Sequence, residues 1–177
     1  MKYHASIVQT TFYSSLGPMT LAATDLGLAG LWFTDQRHLP PELTGTSQTD
    51  PVWRTDAGHP VLQETSRQLT DYFAGRREGF KLPLDLAGGT DFQQAVWRAL
   101  LAIGHGQTAS YSDISRRIGK PAAVRAVGAA IGRNPISVIV PCHRVIGGDG
   151  SLTGYAGGLA RKTALLELEG ALPEGMF

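Results

Sequence analysis

The sequence predicts an α/β protein in two parts: a small amino-terminal antiparallel-sheet domain, then a mainly helical carboxyl-terminal domain carrying a helix-turn-helix motif. Three observations predict it. Short β-branched and aromatic runs crowd residues 6–33, helical apolar spacing with clear start signals follows from His59 onward, and a Pro- and Gly-containing connector lies over 76–90. The chain has 177 residues, 42% apolar and 18% charged, which excludes a disordered or fibrous protein and fits one compact domain or two small ones. The expected division is 1–85 and 86–177.

Taken in order, Ser6 to Tyr13 reads as a strand, closed by a turn at Leu16-Gly17-Pro18. Met19 to Thr24 and Leu28 to Phe33 form a hairpin across Asp25-Leu26-Gly27. The stretch 35–58 is rich in Pro, Thr and Asp and reads mostly as loop. His59 to Phe73 carries Val61, Leu62, Leu69, Tyr72 and Phe73 on one helical face and stops at Gly75. Thr90 and Gln93 have capping-box spacing ahead of Phe92, Val96, Trp97, Leu100 and Leu101. Ser110 caps a short helix to Ile118, Gly119 breaks it, and Pro121 opens a second helix to about Gly132. Ile136 to Val140 is a continuous β-branched run and reads as a buried strand. A glycine-rich loop from Gly147 to Gly158 surrounds Tyr155, and Leu159 to Glu169 is the last helix.

The second helix of the pair is nearly all small residues apart from Arg125. Such a surface lets a backbone approach a partner closely; tight packing in a core is the alternative. Net charge is +1 overall, too small to indicate nucleic-acid binding by itself, but residues 104–144 carry six basic side chains against Asp113 alone. That window reads as an anion-binding footprint or as a solvated helix face. No apolar stretch approaches the ~18 residues of a membrane span, and the amino end lacks a signal-peptide core, so neither membrane nor export is expected. One cysteine, Cys142, excludes an internal disulfide and a multi-thiolate zinc site, and fits a reducing, cytoplasmic setting.

Cys142 ends the apolar run and is followed by His143 and Arg144. A thiol needs a base or a positive field to become the reactive thiolate. His143 can act directly or through a water, given a sharp turn at Pro141, with Glu169 or Glu167 on the last helix as the orienting group. A buried inert thiol is the alternative. Gly147-Gly148-Asp149-Gly150 is not a phosphate loop, because no Lys-Ser/Thr follows it. The five His and single Cys are too scattered to suggest a metal cage.

Pro141-Cys142-His143-Arg144-Val145-Ile146 resembles the active-site motif of the O6-alkylguanine-DNA alkyltransferases (methylated-DNA–protein-cysteine methyltransferases). The resemblance extends to Thr90–Ala102, Tyr111, Arg125-Ala126-Val127-Gly128, Asn134-Pro135, Thr153–Gly158, and Arg161-Lys162 with Leu165-Leu166 and Glu169. It covers essentially all of residues 90–170 in order. The amino-terminal part is similar more weakly, through its strands and Tyr72-Phe73-Ala74-Gly75, and the family gives that part a ribonuclease-H-like fold.

The resemblance implies direct, stoichiometric repair of alkylated duplex DNA. The damaged guanine is flipped into a pocket and its alkyl group passes irreversibly to Cys142, with O4-alkylthymine as a further substrate left open. It implies His143 as base through a water, Glu169 as its orienting partner, Asn134 holding the active-site turn, and Tyr111 as proton donor to guanine N3. Arg125 is implied as the finger filling the stack, with Ala123, Ala126, Gly128 and Ala129 against the minor groove. Carbonyls of Cys142 and Val145 would accept from the guanine amino group, Tyr155 would wall the pocket, and the N–H of Ala156 would face O6. Ala156 stands where some members carry Ser, and Ile131 where Met or Asn is common, which bears on pocket width. No cofactor or metal is implied, since the cysteines of zinc-bearing relatives are missing. The expected partner is double-stranded DNA containing alkylated bases, bound by a monomer, with cooperation on DNA left open. A damage sensor without transfer and a Cys-His hydrolase are the competing classes; retention of Cys142 argues against the sensor.

Overall fold

A computed structural model describes residues 1–45 and 52–172. Strands β1 (Val8–Ser14), β2 (Gly17–Thr24) and β3 (Gly27–Phe33) form an antiparallel meander, and β4 (Arg54–Thr55) adds in parallel beside β1, giving the order β3-β2-β1-β4. Gly27 makes the second hairpin possible. Its φ is +145°, and a Cβ there would lie 2.5 Å from the Pro83 carbonyl oxygen, so only glycine fits. All seven residues of β3 are buried. Helix α2 (Pro60–Phe73) covers one face of the sheet with Leu62, Leu69 and Tyr72, while Tyr3, Trp32 and Trp53 pack together on the other.

The outer edge of β3 is not free. Leu28 donates to Pro83 O (2.8 Å) and accepts from Asp85 N (2.7 Å). Three residues on, Leu31 donates to Pro135 O (2.8 Å) and accepts from Ser137 N (2.9 Å). The sheet is thereby hydrogen-bonded to the segment that leads into Cys142. One apolar core runs through both halves, joining Leu31, Phe33 and Leu69 to Val96, Trp97, Ile136 and Val140.

The carboxyl-terminal half holds α3 (Asp91–Leu100), α4 (Tyr111–Arg117), α5 (Val124–Gly132) and α6 (Leu159–Leu168). Both expected capping residues act: Thr90 with Gln93 closes a capping box on α3, and Ser110 with Asp113 closes one on α4. Trp97 of α3 is fully buried and donates from its indole to Ala130 O on α5 (2.8 Å), which fixes the motif's second helix against the core. A two-stranded parallel ladder, β5 (Ala109–Ser110) with β6 (Val145–Ile146), ties the start of α4 to the end of the active-site turn.

Several expectations need correction. The β-branched run Ile136 to Val140 is buried but is not a strand; it is a turn with one bridge, Ile136 to Leu31, and Val138 has φ +71°. Its polar backbone is satisfied by the bridge to Leu31, by the local turn bond from Val140 N to Ile136 O (2.9 Å), and by a side chain: Asn134 Nδ2 donates to Val140 O (2.8 Å) and Ile136 N donates to Asn134 Oδ1 (3.0 Å). The second helix of the pair begins at Val124, not Pro121, which lies in the preceding turn. The loop over 35–58 contains a four-residue helix, α1 (Pro41–Thr44), and β4; residues 46–51 of it lie outside the described residues. Among the described residues no helix is long and apolar enough to cross a membrane.

Candidate active site

Pro141 turns the chain into a 3₁₀ turn, Cys142–Arg144, so that adjacent side chains diverge around the bend. Cys142 is 7% exposed and reaches a cleft also lined by Tyr111, Gly128, Ile131, Tyr155 and Ala156. His143, the next residue, is fully buried. Its Nε2 lies 3.0 Å from Glu169 Oε2.

Glu169 caps the carboxyl end of α6, where a negative charge opposes the helix dipole. Three side chains compensate. Arg144 donates from Nε to Oε1 (2.8 Å) and from Nη2 to Oε2 (2.9 Å), and the Tyr72 hydroxyl donates to Oε2 (2.6 Å). With His143 these donors hold the Glu169 carboxyl far below the usual carboxylate range despite its burial. Arg144 is fixed in turn by donating from Nη1 to Ile103 O (2.5 Å).

This network sets the histidine tautomer. An ionised carboxylate only accepts, so the His143 Nε2 facing it carries the hydrogen. Nδ1 is left as the bare acceptor, buried and with no hydrogen-bond partner among the described side-chain and backbone groups. Burial lowers the imidazole's affinity for a proton, with Glu169 acting against that and the Arg144 and Lys162 charges adding to it. The resting ring is therefore neutral, with its free lone pair available.

Burial pushes the Cys142 thiol up. The Asn134 side chain, the Lys162 charge and the backbone N–H groups of Cys142 and His143 pull it back toward thiolate. Lys162 is fully buried without a carboxylate, and its ammonium donates to Val145 O (2.5 Å), Thr153 O (2.7 Å) and Gly154 O (3.2 Å). Desolvation lowers its pKa to about 8. Three donors matched to three carbonyls stitch the glycine-rich loop to the strand after Cys142.

The sequence-derived residues fall into three groups. Cys142, Tyr111, Ile131, Gly128, Tyr155 and Ala156 line the cleft; His143, Glu169, Asn134 and Val145 are buried around it. Tyr111 lies at the mouth, its hydroxyl 3.3 Å from Thr153 O. Arg125, Ala126 and Ala129 are exposed on the outer face of α5, with Ala123 half-buried at its start. Glu167, the other carboxylate considered, makes no contact with His143; Glu169 is the partner. Sequence reasoning gave no role to Tyr72, Arg144 or Lys162, nor to Arg37 and His38 at the cleft. Lys162 alone had a legible signal, a lysine on the face shared with Leu165 and Leu166.

A lone cysteine in a cleft, followed by a buried histidine paired to a carboxylate and flanked by an exposed helix of a helix-turn-helix, has the parts of a protein that works through a nucleophilic thiol. The comparisons sharpen that class. Residues 7–86 match the family model described as 6-O-methylguanine DNA methyltransferase, ribonuclease-like domain, and residues 91–171 match that family's DNA binding domain. The methylated-DNA–protein-cysteine methyltransferase of Mycobacterium tuberculosis is 50% identical over 159 residues, covering 90% of each chain. The inducible enzyme of that name from Bacillus subtilis is 59% identical over 108 residues, 61% of this chain and 60% of its own. The crystal structure of the M. tuberculosis protein in complex with DNA superposes with TM-score 0.78 at 50% identity over 91% of each chain. The chain belongs to the 6-O-methylguanine DNA methyltransferase family.

Proposed function

We propose that this protein repairs DNA directly, by moving the alkyl group of O6-alkylguanine onto its own Cys142. The observation that carries the reading is the line from the cleft inward: Cys142 at the wall, His143 with a bare Nδ1, and Glu169 fixing the far side of the ring. Membership of the family and the DNA complex of a 50%-identical relative support duplex DNA as the partner.

In this mechanism the thiol proton passes to His143 Nδ1, through a water, and Glu169 stabilises the imidazolium that forms. The thiolate sulfur attacks the alkyl carbon in line. The S–C bond forms as the C–O6 bond breaks, and guanine leaves with the electron pair. Tyr111 at the cleft mouth donates toward N3 to neutralise that charge, and the Ala156 N–H faces O6. The carbonyls of Cys142 and Val145 receive the guanine amino group; the Val145 oxygen shares this with Lys162. Asn134 keeps the turn that aims the sulfur. Tyr155 walls the pocket and Ile131 sets its width. The thioether is not cleaved by water, so each molecule acts once.

A sulfur recessed in a cleft cannot approach the O6-alkyl carbon in line while the base stays stacked, so the base is extruded at a cost of about a few kcal/mol. Arg125 is the side chain that enters the vacated space, with Ala123, Ala126, Gly128 and Ala129 allowing close approach of α5. Residues 1–85 and 86–177 act as two units sharing one core, a division supported by the separate matches to 7–86 and 91–171. One chain is the proposed working unit, with Cys142, His143 and Glu169 of the same chain forming the relay and cooperation on DNA left open. A reactive thiol that must stay reduced until used suits the cytoplasm.

Mass spectrometry after mixing with duplex O6-methylguanine DNA tests the reading: a single adduct of about 14 Da on Cys142 is expected. Cys142→Ala is expected to bind the same DNA and show no adduct. An unmodified Cys142 in the unaltered protein after lesion binding would identify a sensor instead.

A further inference from the structure

The amino-terminal half supplies none of the cleft's reacting groups, yet one of its side chains ends inside the relay. Tyr72, in the last turn of α2, is 1% exposed, and its hydroxyl reaches Glu169 Oε2 at 2.6 Å. The same oxygen meets His143 Nε2 at 3.0 Å and Arg144 Nη2 at 2.9 Å. We infer that Tyr72 is a positioning residue for alkyl transfer, its hydroxyl fixing Glu169 and moderating how strongly that carboxylate attracts a proton to His143. The inference rests on His143 serving as base for Cys142.

Packing accounts for the ring but not for the hydroxyl. The ring meets Phe73 edge-on at 5.2 Å, Phe80 tilted at 5.3 Å and His105 edge-on at 6.5 Å. Phenylalanine would make the same contacts. The oxygen's partner is the carboxylate, and burial together with the Glu169 charge holds the phenol protonated, so it remains a donor across the working range.

Oε2 is thus shared by three donors although it has two good lone-pair directions. Each donor draws on the same electron density, so a bond from Tyr72 weakens the bond available to His143. Remove the hydroxyl and the carboxylate becomes more basic. It then holds the imidazolium more tightly, and His143 stays protonated to higher pH. A protonated Nδ1 cannot accept the thiol proton. The other charged or titratable groups facing the pair are Arg144 from the 3₁₀ turn, Lys162 from α6, Tyr155 from the cleft side, and His105 against the Tyr72 ring. All of them remain in a Tyr72→Phe protein.

The test is the single-turnover rate of transfer from free O6-alkylguanine, followed across pH in the full chain. Tyr72→Phe is expected to move the acid limb of the profile up by about half to one pH unit, so that the rate well below the limb falls about 3- to 10-fold. Site-specific 3-fluorotyrosine at position 72, a stronger donor of nearly the same size, is expected to move the limb the opposite way, which keeps the inference testable if Tyr72→Phe folds poorly. A rate lowered equally at every pH, or a limb that stays put in both variants beside a working parent, overturns this inference alone. A parent that never alkylates Cys142 overturns the reading beneath it as well.

Discussion

Glu169 lies 5% exposed beneath Tyr72, His143 and Arg144, while Arg125, Ala126 and Ala129 on α5 are open to solvent. In the first region both carboxylate oxygens are engaged by charged or polar donors, and His143 Nδ1 is left as a bare acceptor. In the second, side chains are short, contacts are few, and the only charge in α5 is a flexible guanidinium. The difference separates two tasks. Proton transfer requires groups fixed before the substrate arrives, which a desolvated and fully bonded network provides. Recognition of a long, variable duplex requires a surface that yields nothing to its own fold.

Breaking the buried region should have the largest effect. Glu169→Ala removes the acceptor of His143 and leaves Arg144 buried without its counter-charge, expected to destabilise the fold by about 3–5 kcal/mol. Transfer to Cys142 should fall by about 10²-fold or more, because the imidazole loses both orientation and stabilisation of its charged form. Urea unfolding and single-turnover transfer measure the two effects. A near-normal rate would show that the relay is structural rather than chemical.

The exposed region should respond differently. Arg125→Ala is expected to leave unfolding unchanged and transfer from the free base intact, while slowing transfer from duplex DNA by about 10-fold. Parallel assays on the base and on the duplex read this directly. If both rates fall together, α5 belongs with the buried region and the contrast fails.

The smallest effect is the buried side's share of the pH dependence of stability. His143 is held below its ordinary value near 6.5 by burial, so the unfolded chain binds the proton more readily. Stability is complete above about 6.5 and declines as pH falls, by at most about 1.4 kcal/mol per pH unit for this one group. Glu169, whose pKa is depressed, adds a second loss as pH falls below the ordinary carboxylate range. Urea midpoints between pH 7.5 and 5 should show the first loss, and Arg125→Ala should share it unaltered.

Much of the fold was legible because its signals are local. The strands and the two capping boxes sit close to where residue chemistry puts them, although Gly17 and Pro18, expected in the first turn, pair with Ser14 and Tyr13 inside the hairpin. The run Ile136 to Val140 misled because a buried strand and a buried turn ask for the same apolar side chains. Only the position of Asn134, whose amide stands in for a neighbouring strand, distinguishes them. Within the site, residue chemistry made Cys142, His143 and Glu169 candidates but left Glu167 and an inert thiol open; the resemblance to a family chose among them. Tyr72 could not be reached from sequence: 97 positions separate it from Glu169, and nothing about a tyrosine on an apolar helix face marks its hydroxyl as engaged. Arg144 was visible in the motif around Cys142 and in a basic window, with no role attached, and that window is split, for Arg144 is buried in an ion pair while Arg116, Arg117, Lys120, Arg125 and Arg133 are exposed.

The outer edge of β3 is occupied by the backbone of residues 83–85 and 135–137. A seven-residue strand of wholly interior side chains is a strong template for pairing with foreign chains, and here its rim is sealed by the turn that aims the sulfur. Heat or proteolysis that peels this turn away would expose the sticky rim and misplace the nucleophile in one step. Inactivation and aggregation of this protein should therefore begin together, from the same rupture.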